Sequence, residues 1–305
     1  MVTMDRPRPL PEPLVAGDGV GVVALSGPVP EGVLRGGLEA LARLGLVPVP
    51  ATNLLRSERY LAGHDDERAA GVEEVLARGV KAILAARGGY GVMRVLDRLP
   101  WPALARWRGW LIGYSDLTAL HAAASRRMPV ATLHGPMLAS LARSESNCRL
   151  LGGWLAGSPP PAVMRFGPSR VVRAGRASGV AVGGNLSVLS ALVATPWEPE
   201  FEGGVLFLED VNEPAYRLDR LLTHLALSSR LAKVAAVVVG RMVRCGRGDR
   251  GFAQHWRRLL AEAIPPPAVI VEGLAFGHGK VNTPFPLGAE VTVDTGAGTL
   301  SLGGN

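Results

Sequence analysis

The 305-residue chain has only two cysteines, Cys148 and Cys245, which lie far apart in the sequence. Two cysteines are too few for a disulfide framework, and their separation matches no zinc-ligand spacing. A chain of this length buries roughly 75% of its unfolded surface, so it needs neither a disulfide nor a metal for stability. We therefore predict no metal site and no cofactor.

Long apolar runs are also missing. No stretch approaches the about 20 apolar residues that a membrane-spanning helix needs. Residues 1–18 are rich in proline and charge and lack the apolar segment of a secretory signal. These features predict a cytoplasmic protein without membrane contact, and we expect residues 1–18 to be flexible.

Lysine is scarce, with Lys81, Lys233 and Lys280 as its only occurrences, so the formal charge of +7 is carried mainly by arginine. The arginines are scattered, and no basic run is interleaved with aromatic residues. Nucleic-acid binding usually requires a concentrated basic patch. We therefore expect no nucleic-acid partner and favour an acidic small substrate.

Short apolar runs alternate with amphipathic stretches from residue 19 to about residue 156. The runs cover residues 20–26, 46–49, 80–86, 109–113 and 129–133. This alternation is typical of βαβ units and a mostly parallel sheet. The pattern predicts an α/β domain over residues 19–156, called the first domain below.

A glycine- and proline-rich break at residues 157–161 interrupts this pattern. We interpret residues 157–178 as a linker and residues 179–305 as a smaller, mixed, β-rich second domain. In the second domain we predict a helix over 215–227 and a hairpin of 289–294 with 298–302.

Two predicted strand ends in the first domain carry unusual residues, and ligands of open α/β sheets bind at such ends. The first is the glycine-rich turn at residues 87–91, whose backbone N–H groups could face an anion. It does not match a phosphate loop. An ordinary glycine-rich turn is the alternative.

The second strand end is Gly113-Tyr114-Ser115-Asp116, which leads into a predicted helix. A serine at a strand-to-helix turn resembles the nucleophile elbow of α/β hydrolases, although Leu117 replaces the second glycine of that motif. The nearby helix N-terminus would stabilise an oxyanion. The alternative is that Ser115 or Asp116 is only the helix cap.

A serine nucleophile requires a base and a group that orients the base. His278 is the leading base among six histidines because flanking glycines let its ring project from a loop, although a surface histidine is the alternative. His134 follows a strand and either lines the same cleft or supports it. Glu209 ends an apolar strand, where a buried carboxylate needs a partner.

Six blocks in this order resemble the LD-carboxypeptidase family, from about residue 19 to the C-terminus. They are Gly88-Gly89-Tyr90-Gly91 with Arg94, GYSDLTALH (113–121), HGPM (134–137), GGNLSVL (183–189), LFLEDVNEPAYRLDR (206–220) and GHGKVNTPFPLG (277–288).

The resemblance implies a catalytic Ser–Glu–His triad of Ser115, Glu209 and His278, with the amides of Gly89 and Asp116 as the oxyanion hole. It implies a Rossmann-like N-terminal domain that holds the serine and a C-terminal domain that holds the other two residues. Members of this family are typically cytoplasmic homodimers that remove the terminal D-alanine from murein tetrapeptides.

We also predict Tyr90, Arg94 and His134 as substrate-binding residues, with a structural role left open for Arg94 and His134. Phe276 stands where the family often has proline, and the polar segment 279–285 is expected to lie beside the site and to affect the choice of substrate.

Two rival functions remain: a microcin C-type immunity peptidase acting on aminoacyl-nucleotide or dipeptide-like substrates, and a catalytically silent muropeptide-binding protein.

Overall fold

The computed structural model describes residues 7–158 and 162–303. Strands in this part of the chain are β1 (Gly19–Val23), β2 (Val47–Pro50), β3 (Ala82–Ala85), β4 (Trp110–Gly113), β5 (Thr132–His134), β6 (Ala162–Arg165), β7 (Val171–Arg173), β8 (Arg176–Asn185), β9 (Val205–Val211), β10 (Ala236–Val243), β11 (Val269–Val271), β12 (Phe285–Leu287), β13 (Glu290–Asp294) and β14 (Thr299–Leu302).

The α-helices are α1 (Glu31–Arg43), α2 (Asp65–Ala77), α3 (Val92–Val95), α4 (Trp101–Leu104), α5 (Thr118–Ser125), α6 (Leu138–Leu141), α7 (Glu145–Leu155), α8 (Leu186–Leu192), α9 (Ala215–Leu227) and α10 (Phe252–Ala263). Single 3₁₀ turns occur at Leu96–Arg98, Ser115–Leu117 and Pro168–Arg170. Within the described ranges, no helix has both the length and the apolar content to cross a membrane.

The first sheet has the order β12-β5-β4-β3-β1-β2. Strands β1 to β5 are parallel to one another, as the apolar runs predict, and every residue of β3 and β4 is buried because helices cover both faces. The carboxyl ends of these strands therefore meet at one edge, where the segments after β1, β3 and β4 lie side by side.

The second sheet has the order β6-β14-β13-β8-β9-β10-β11-β7, with β8 to β11 parallel and the remaining pairs antiparallel. Its two edge strands, β6 and β7, are separated by only residues 166–170. Five residues span at most about 20 Å, so the sheet must curl until its edges approach each other. The predicted α/β class, with a mostly parallel first sheet and a mixed second sheet, is confirmed.

The chain around the predicted linker is mostly strand. Of residues 157–178, the described part includes β6, β7 and the start of β8, all in the second sheet. Short strands next to glycine and proline carry too little periodicity to be separated from a loop by sequence alone.

The described part of the segment before β1 packs mainly against the first domain and touches the second at Gly288, although we expected residues 1–18 to be flexible. Residues 1–6 lie outside the described residues. Four hydrogen bonds join backbone atoms of residues 8–14 to distant segments, and the Leu14 side chain is buried. These bonds are Arg8 N–H to the Gly288 carbonyl (2.8 Å), Ala131 N–H to Pro9 (2.9 Å), Leu14 N–H to Leu155 (2.6 Å) and Trp110 Nε1–H to Glu12 (2.9 Å).

A strand from the second domain completes the first sheet. β12 pairs antiparallel with β5, so that Phe285 lies opposite His134. The Phe285 ring stacks on His134 at 4.5 Å and on Phe207 of β9 at 4.1 Å between centroids. One apolar core therefore runs through both domains, and it fixes the loop before β12, which contains His278.

Candidate active site

Ser115 occupies a strained turn between β4 and α5. Its φ is +65°, in the left-handed region that costs a non-glycine residue about 1–2 kcal/mol. The Ser115 and Asp116 side chains do not cap either helix of this turn, because the cap positions are Tyr114 and Leu117. Strain of this kind concentrates at functional sites.

Ser115, His278 and Glu209 form a continuous hydrogen-bonded chain. His278 Nε2 lies 3.0 Å from Ser115 Oγ, and His278 Nδ1 lies 2.6 Å from Glu209 Oε2. Ser115 belongs to the first domain and the other two to the second. The arrangement can therefore transfer the hydroxyl proton to the imidazole, which the carboxylate orients from its other side.

The surroundings of His278 favour its charged form. Burial alone would lower the pKa of His278, but the hydrogen bond and the negative charge of Glu209 raise it above the ordinary value. Glu209 is fully buried, and Asn185 donates from Nδ2 to it (3.3 Å) and to Asp210 (2.9 Å). The His278 and Tyr114 rings meet edge to face, with their centroids 5.0 Å apart.

The predicted oxyanion donors lie on the two turns that follow β3 and β4. Among the described residues, neither the Gly89 nor the Asp116 amide N–H donates to a backbone carbonyl. A Cβ at Gly88 would lie 3.1 Å from Ser115 Oγ, so this turn passes directly beside the serine. Gly89 has φ +129°, which only glycine adopts readily.

The three predicted substrate-binding residues have different surroundings. Tyr90 is 49% exposed, with its ring 5.9 Å from that of Tyr60. Arg94 forms an ion pair with Asp65 (2.8 Å), and this bond raises the pKa of Arg94.

His134 is fully buried, and burial lowers its pKa well below the usual value. The ring stacks on Phe285, and neither ring nitrogen has a hydrogen-bond partner within the described residues. A ring enclosed in this way cannot touch a substrate in the cleft, so its predicted role is corrected to support of the site.

The segment 279–285 largely holds the His278 loop in place. Asn282 is buried, its Oδ1 accepts from Gly277 N–H (2.9 Å), and its own N–H donates to Asn147 of α7 (3.0 Å). Gly277 has φ +90°, and a Cβ there would lie 2.5 Å from Glu209 Oε2. Only the residues around Lys280 and Val281 are exposed enough to meet a substrate.

Sequence reasoning did not find Asn185, Asn282 or the Asp116 side chain as parts of the site. Asn185 lies within the block 183–189 and Asn282 within 277–288. These side chains contact segments that are distant in the sequence, so no local sequence pattern predicts their roles. A cavity of about 490 Å³ lies at the opposite edge of the first sheet, against residues 9–14, and contains none of the residues discussed in this subsection.

Comparison with known proteins identifies two family domains. Residues 20–135 match the LD-carboxypeptidase N-terminal domain, and residues 178–293 match the LD-carboxypeptidase C-terminal domain. A Streptomyces coelicolor protein classed as a carboxypeptidase is 41% identical over 304 residues, which cover 95% of each chain.

Two solved structures have the same fold. The muramoyltetrapeptide carboxypeptidase of Oxalobacter formigenes superposes with a TM-score of 0.81 at 29% identity, covering 93% of this chain and 97% of that one. The microcin C7 self-immunity protein superposes with a TM-score of 0.85 at 22% identity, covering 98% of each chain.

Proposed function

The chain belongs to the LD-carboxypeptidase family, and we propose that it is a serine carboxypeptidase that hydrolyses an L,D-peptide bond, releasing the terminal D-alanine of a murein tetrapeptide. The observation that carries the proposal is the hydrogen-bonded chain from Ser115 through His278 to Glu209. The likeness to the Oxalobacter formigenes protein, which is named a muramoyltetrapeptide carboxypeptidase, supports the choice of substrate.

In the proposed mechanism, His278 Nε2 takes the Ser115 proton while Oγ attacks the scissile carbonyl. The carbonyl oxygen becomes an oxyanion that accepts hydrogen bonds from the Gly89 and Asp116 amides, and each such donor contributes about 3 kcal/mol to the transition state. The protonated His278 then gives its proton to the D-alanine nitrogen as the C–N bond breaks. Water, deprotonated by His278, hydrolyses the acyl-enzyme and restores Ser115.

Glu209 acts on His278 throughout this cycle. Its bond to Nδ1 holds the tautomer that leaves Nε2 free to accept a proton, and its charge stabilises the imidazolium once that proton has arrived. Because Glu209 is fully buried, this interaction is screened little by water.

Arginines around the triad suit an acidic peptide. The positive charge of Arg244 acts on His278 and that of Arg143 on Tyr114, while the Arg241 side chain lies beside Gly279. All three arginines are exposed. We propose that they attract the carboxylates of the tetrapeptide, and that the enzyme is a cytoplasmic homodimer as its resemblance to the family implies.

The test is to incubate the protein with a murein tetrapeptide and to follow the mass loss of one D-alanine. We expect release by the wild type and none by Ser115→Ala, with equal thermal stability of the two proteins. A folded wild type that leaves the tetrapeptide intact would contradict the substrate. Release by Ser115→Ala at the wild-type rate would contradict the nucleophile.

A microcin-type peptidase is the second candidate because of the structural likeness to the self-immunity protein. An aminoacyl-nucleotide substrate would need an aromatic side chain for its nucleobase, but the Trp197 ring stacks on Trp101 at 5.6 Å between centroids, with Arg127 4.1 Å above it. Cleavage of an aminoacyl-nucleotide in place of the tetrapeptide would favour this candidate. A silent binding protein would leave Ser115 unreactive toward a serine-directed acylating probe.

A further inference from the structure

The turn that holds Gly89 has no regular structure of its own, yet one of the proposed oxyanion donors depends on its position. Glycines at residues 88, 89 and 91 give this turn, residues 87–91, more backbone freedom than other residues would. Two buried charged side chains from outside it, Arg68 and Asp116, bond to its backbone. The proposed reaction assigns neither side chain a role.

Arg68 of α2 is fully buried, which is rare for an arginine. Its Nη1 donates to the carbonyl of Gly91 (2.9 Å) and to that of Leu25 in the turn after β1, and its Nη2 donates to Asp65. A buried guanidinium is costly, and apolar residues would fill the same volume at lower cost. Two of these three hydrogen bonds go to the turns after β1 and β3.

A Cβ at Gly91 would lie 2.6 Å from Arg68 Nη1. Any other residue at this position would push the guanidinium away from the carbonyl that it binds. The φ of +138° at Gly91 independently requires glycine. The turn and the guanidinium are thus fitted to each other.

Asp116 holds the same turn from the other side. Its side chain is buried, and one oxygen, Oδ2, accepts from Val92 N–H (3.0 Å) and from Ser26 Oγ (2.6 Å). The residue after Ser26 donates its own N–H to the carbonyl of Gly88 (3.3 Å). The turn is therefore held at Gly88, at Gly91 and at Val92, the first residue of α3, on both sides of Gly89.

We propose that the Arg68 guanidinium and the Asp116 carboxylate are positioning residues that set the separation of the two oxyanion donors. The inference rests on the proposed function. Asp116 supplies one donor through its backbone N–H and holds the turn that carries the other donor through its side chain, so one residue couples both. Donors held in place before the reaction need no reorganisation in the transition state.

The test compares Asp116→Asn and Arg68→Lys with a matched control, Arg98→Gln. Arg98 also bridges to α2, through Asp66, but it is exposed and makes no bond to the turn. Each protein is first titrated with a serine-directed acylating probe, so that rates refer to competent sites only. We expect kcat on the tetrapeptide to fall about 100-fold in Asp116→Asn and less in Arg68→Lys, with KM within about threefold of the wild type.

A second readout separates positioning from support of the fold. A peptide aldehyde that forms a tetrahedral adduct with Ser115 should bind at least tenfold more weakly to both variants, while the tripeptide product binds equally well. The control should match the wild type in both assays. Unchanged kcat per titrated site in folded variants, or equal losses of aldehyde and product affinity, would overturn the proposal.

Ser26→Ala removes one bond to Asp116 with little change in volume, and it serves if the charged variants do not fold. We expect a loss in kcat of about tenfold, and an unchanged kcat would also overturn the proposal.

If the wild type does not release D-alanine, the proposed function fails. The acylation rate of Ser115 by the probe then tests the positioning separately.

Discussion

The two domains build their halves of the candidate site in different ways. In the first domain the candidate residues lie on turns: Ser115 has a left-handed backbone, and Gly89 and Asp116, the proposed oxyanion donors, lie on the turns after β3 and β4. The second domain supplies side chains, since Glu209 and His278 project from a strand and a loop. The first half thus depends on the conformation of its turns and on the buried side chains that hold them, and the second half on the direct hydrogen bond between His278 and Glu209.

This difference makes the site dependent on contacts between the domains. Asn185 N–H donates to Thr118 Oγ1 at the start of α5 (2.9 Å), next to the serine turn. Asn147 and Asn282 join α7 to the His278 loop, and β12 joins the two cores. Because Ser115 Oγ and His278 Nε2 must lie within hydrogen-bond reach, small shifts between domains would affect the rate strongly.

The largest expected effect tests whether the two halves act as one unit. We expect Ser115→Ala and His278→Ala each to lower kcat by about a million-fold, and the double variant to lose no more than either single variant. The measurement is release of D-alanine by the three proteins. Multiplied losses in the double variant would mean that the two domains contribute independently.

The substitution Glu209→Gln disrupts only the part of the site that the second domain supplies. We expect kcat to fall about 10,000-fold because the carboxamide no longer favours the required tautomer. Since Glu209 raises the pKa of His278, the acid limb of kcat/KM should also move to lower pH in the variant.

The corresponding measurement is the pH profile of kcat/KM, with Glu202→Gln as the control because Glu202 is an exposed carboxylate paired with Lys233. A shift of the acid limb to higher pH would contradict the role of Glu209.

The substitution Phe285→Ala disrupts the apolar core that the two domains share. The ring is fully buried between His134 and Phe207, so its removal should lower the free energy of unfolding by about 3–5 kcal/mol. Phe285→Leu keeps most of the apolar volume and should cost less. Denaturant titration measures both, and a loss below 1 kcal/mol in the alanine variant would show that the shared core is not needed.

The smallest expected effect concerns the histidine beneath the serine turn. Burial lowers the pKa of His121 to about 4, although a hydrogen bond to the Gly113 carbonyl acts in the opposite direction. The pKa of His278, in contrast, is raised by Glu209. A buried neutral histidine stabilises the fold above its unfolded pKa near 6.5, and this contribution is lost as the pH falls toward 4.

We therefore expect His121→Gln to reduce the loss of stability between pH 7 and pH 5 by about 2 kcal/mol. The measurement is chemical denaturation of both proteins at the two pH values. An identical pH dependence in wild type and variant would mean that His121 is not held neutral.

Much of the architecture follows from periodicity in the sequence. The apolar runs predicted β1 to β5, and helix α9 has the predicted bounds of 215–227. β12 was not predicted, because its three residues include Pro286. Proline is tolerated there because β12 is an edge strand, a fact that only the pairing reveals.

The roles of charged and polar side chains were harder to predict. His134 ends β5, His278 lies in the loop after β11, and glycine follows both, but the His134 ring is enclosed by phenylalanines and the His278 ring reaches Ser115. Arg68 shows no sequence pattern that separates it from the other arginines. Burial and bonding partners decided these roles, and both arise from residues far away in the chain.

By itself, the sequence determined the alternation of strands and helices, the serine at a strand-to-helix turn and the glycines of the adjoining turns, because these depend on local periodicity and backbone preference. The tertiary structure alone decided that His278 and Glu209 meet Ser115 across two domains, and that Arg68 and Asp116 hold the turn beside it. Such contacts depend on how the two sheets pack against each other, which no local stretch of sequence specifies.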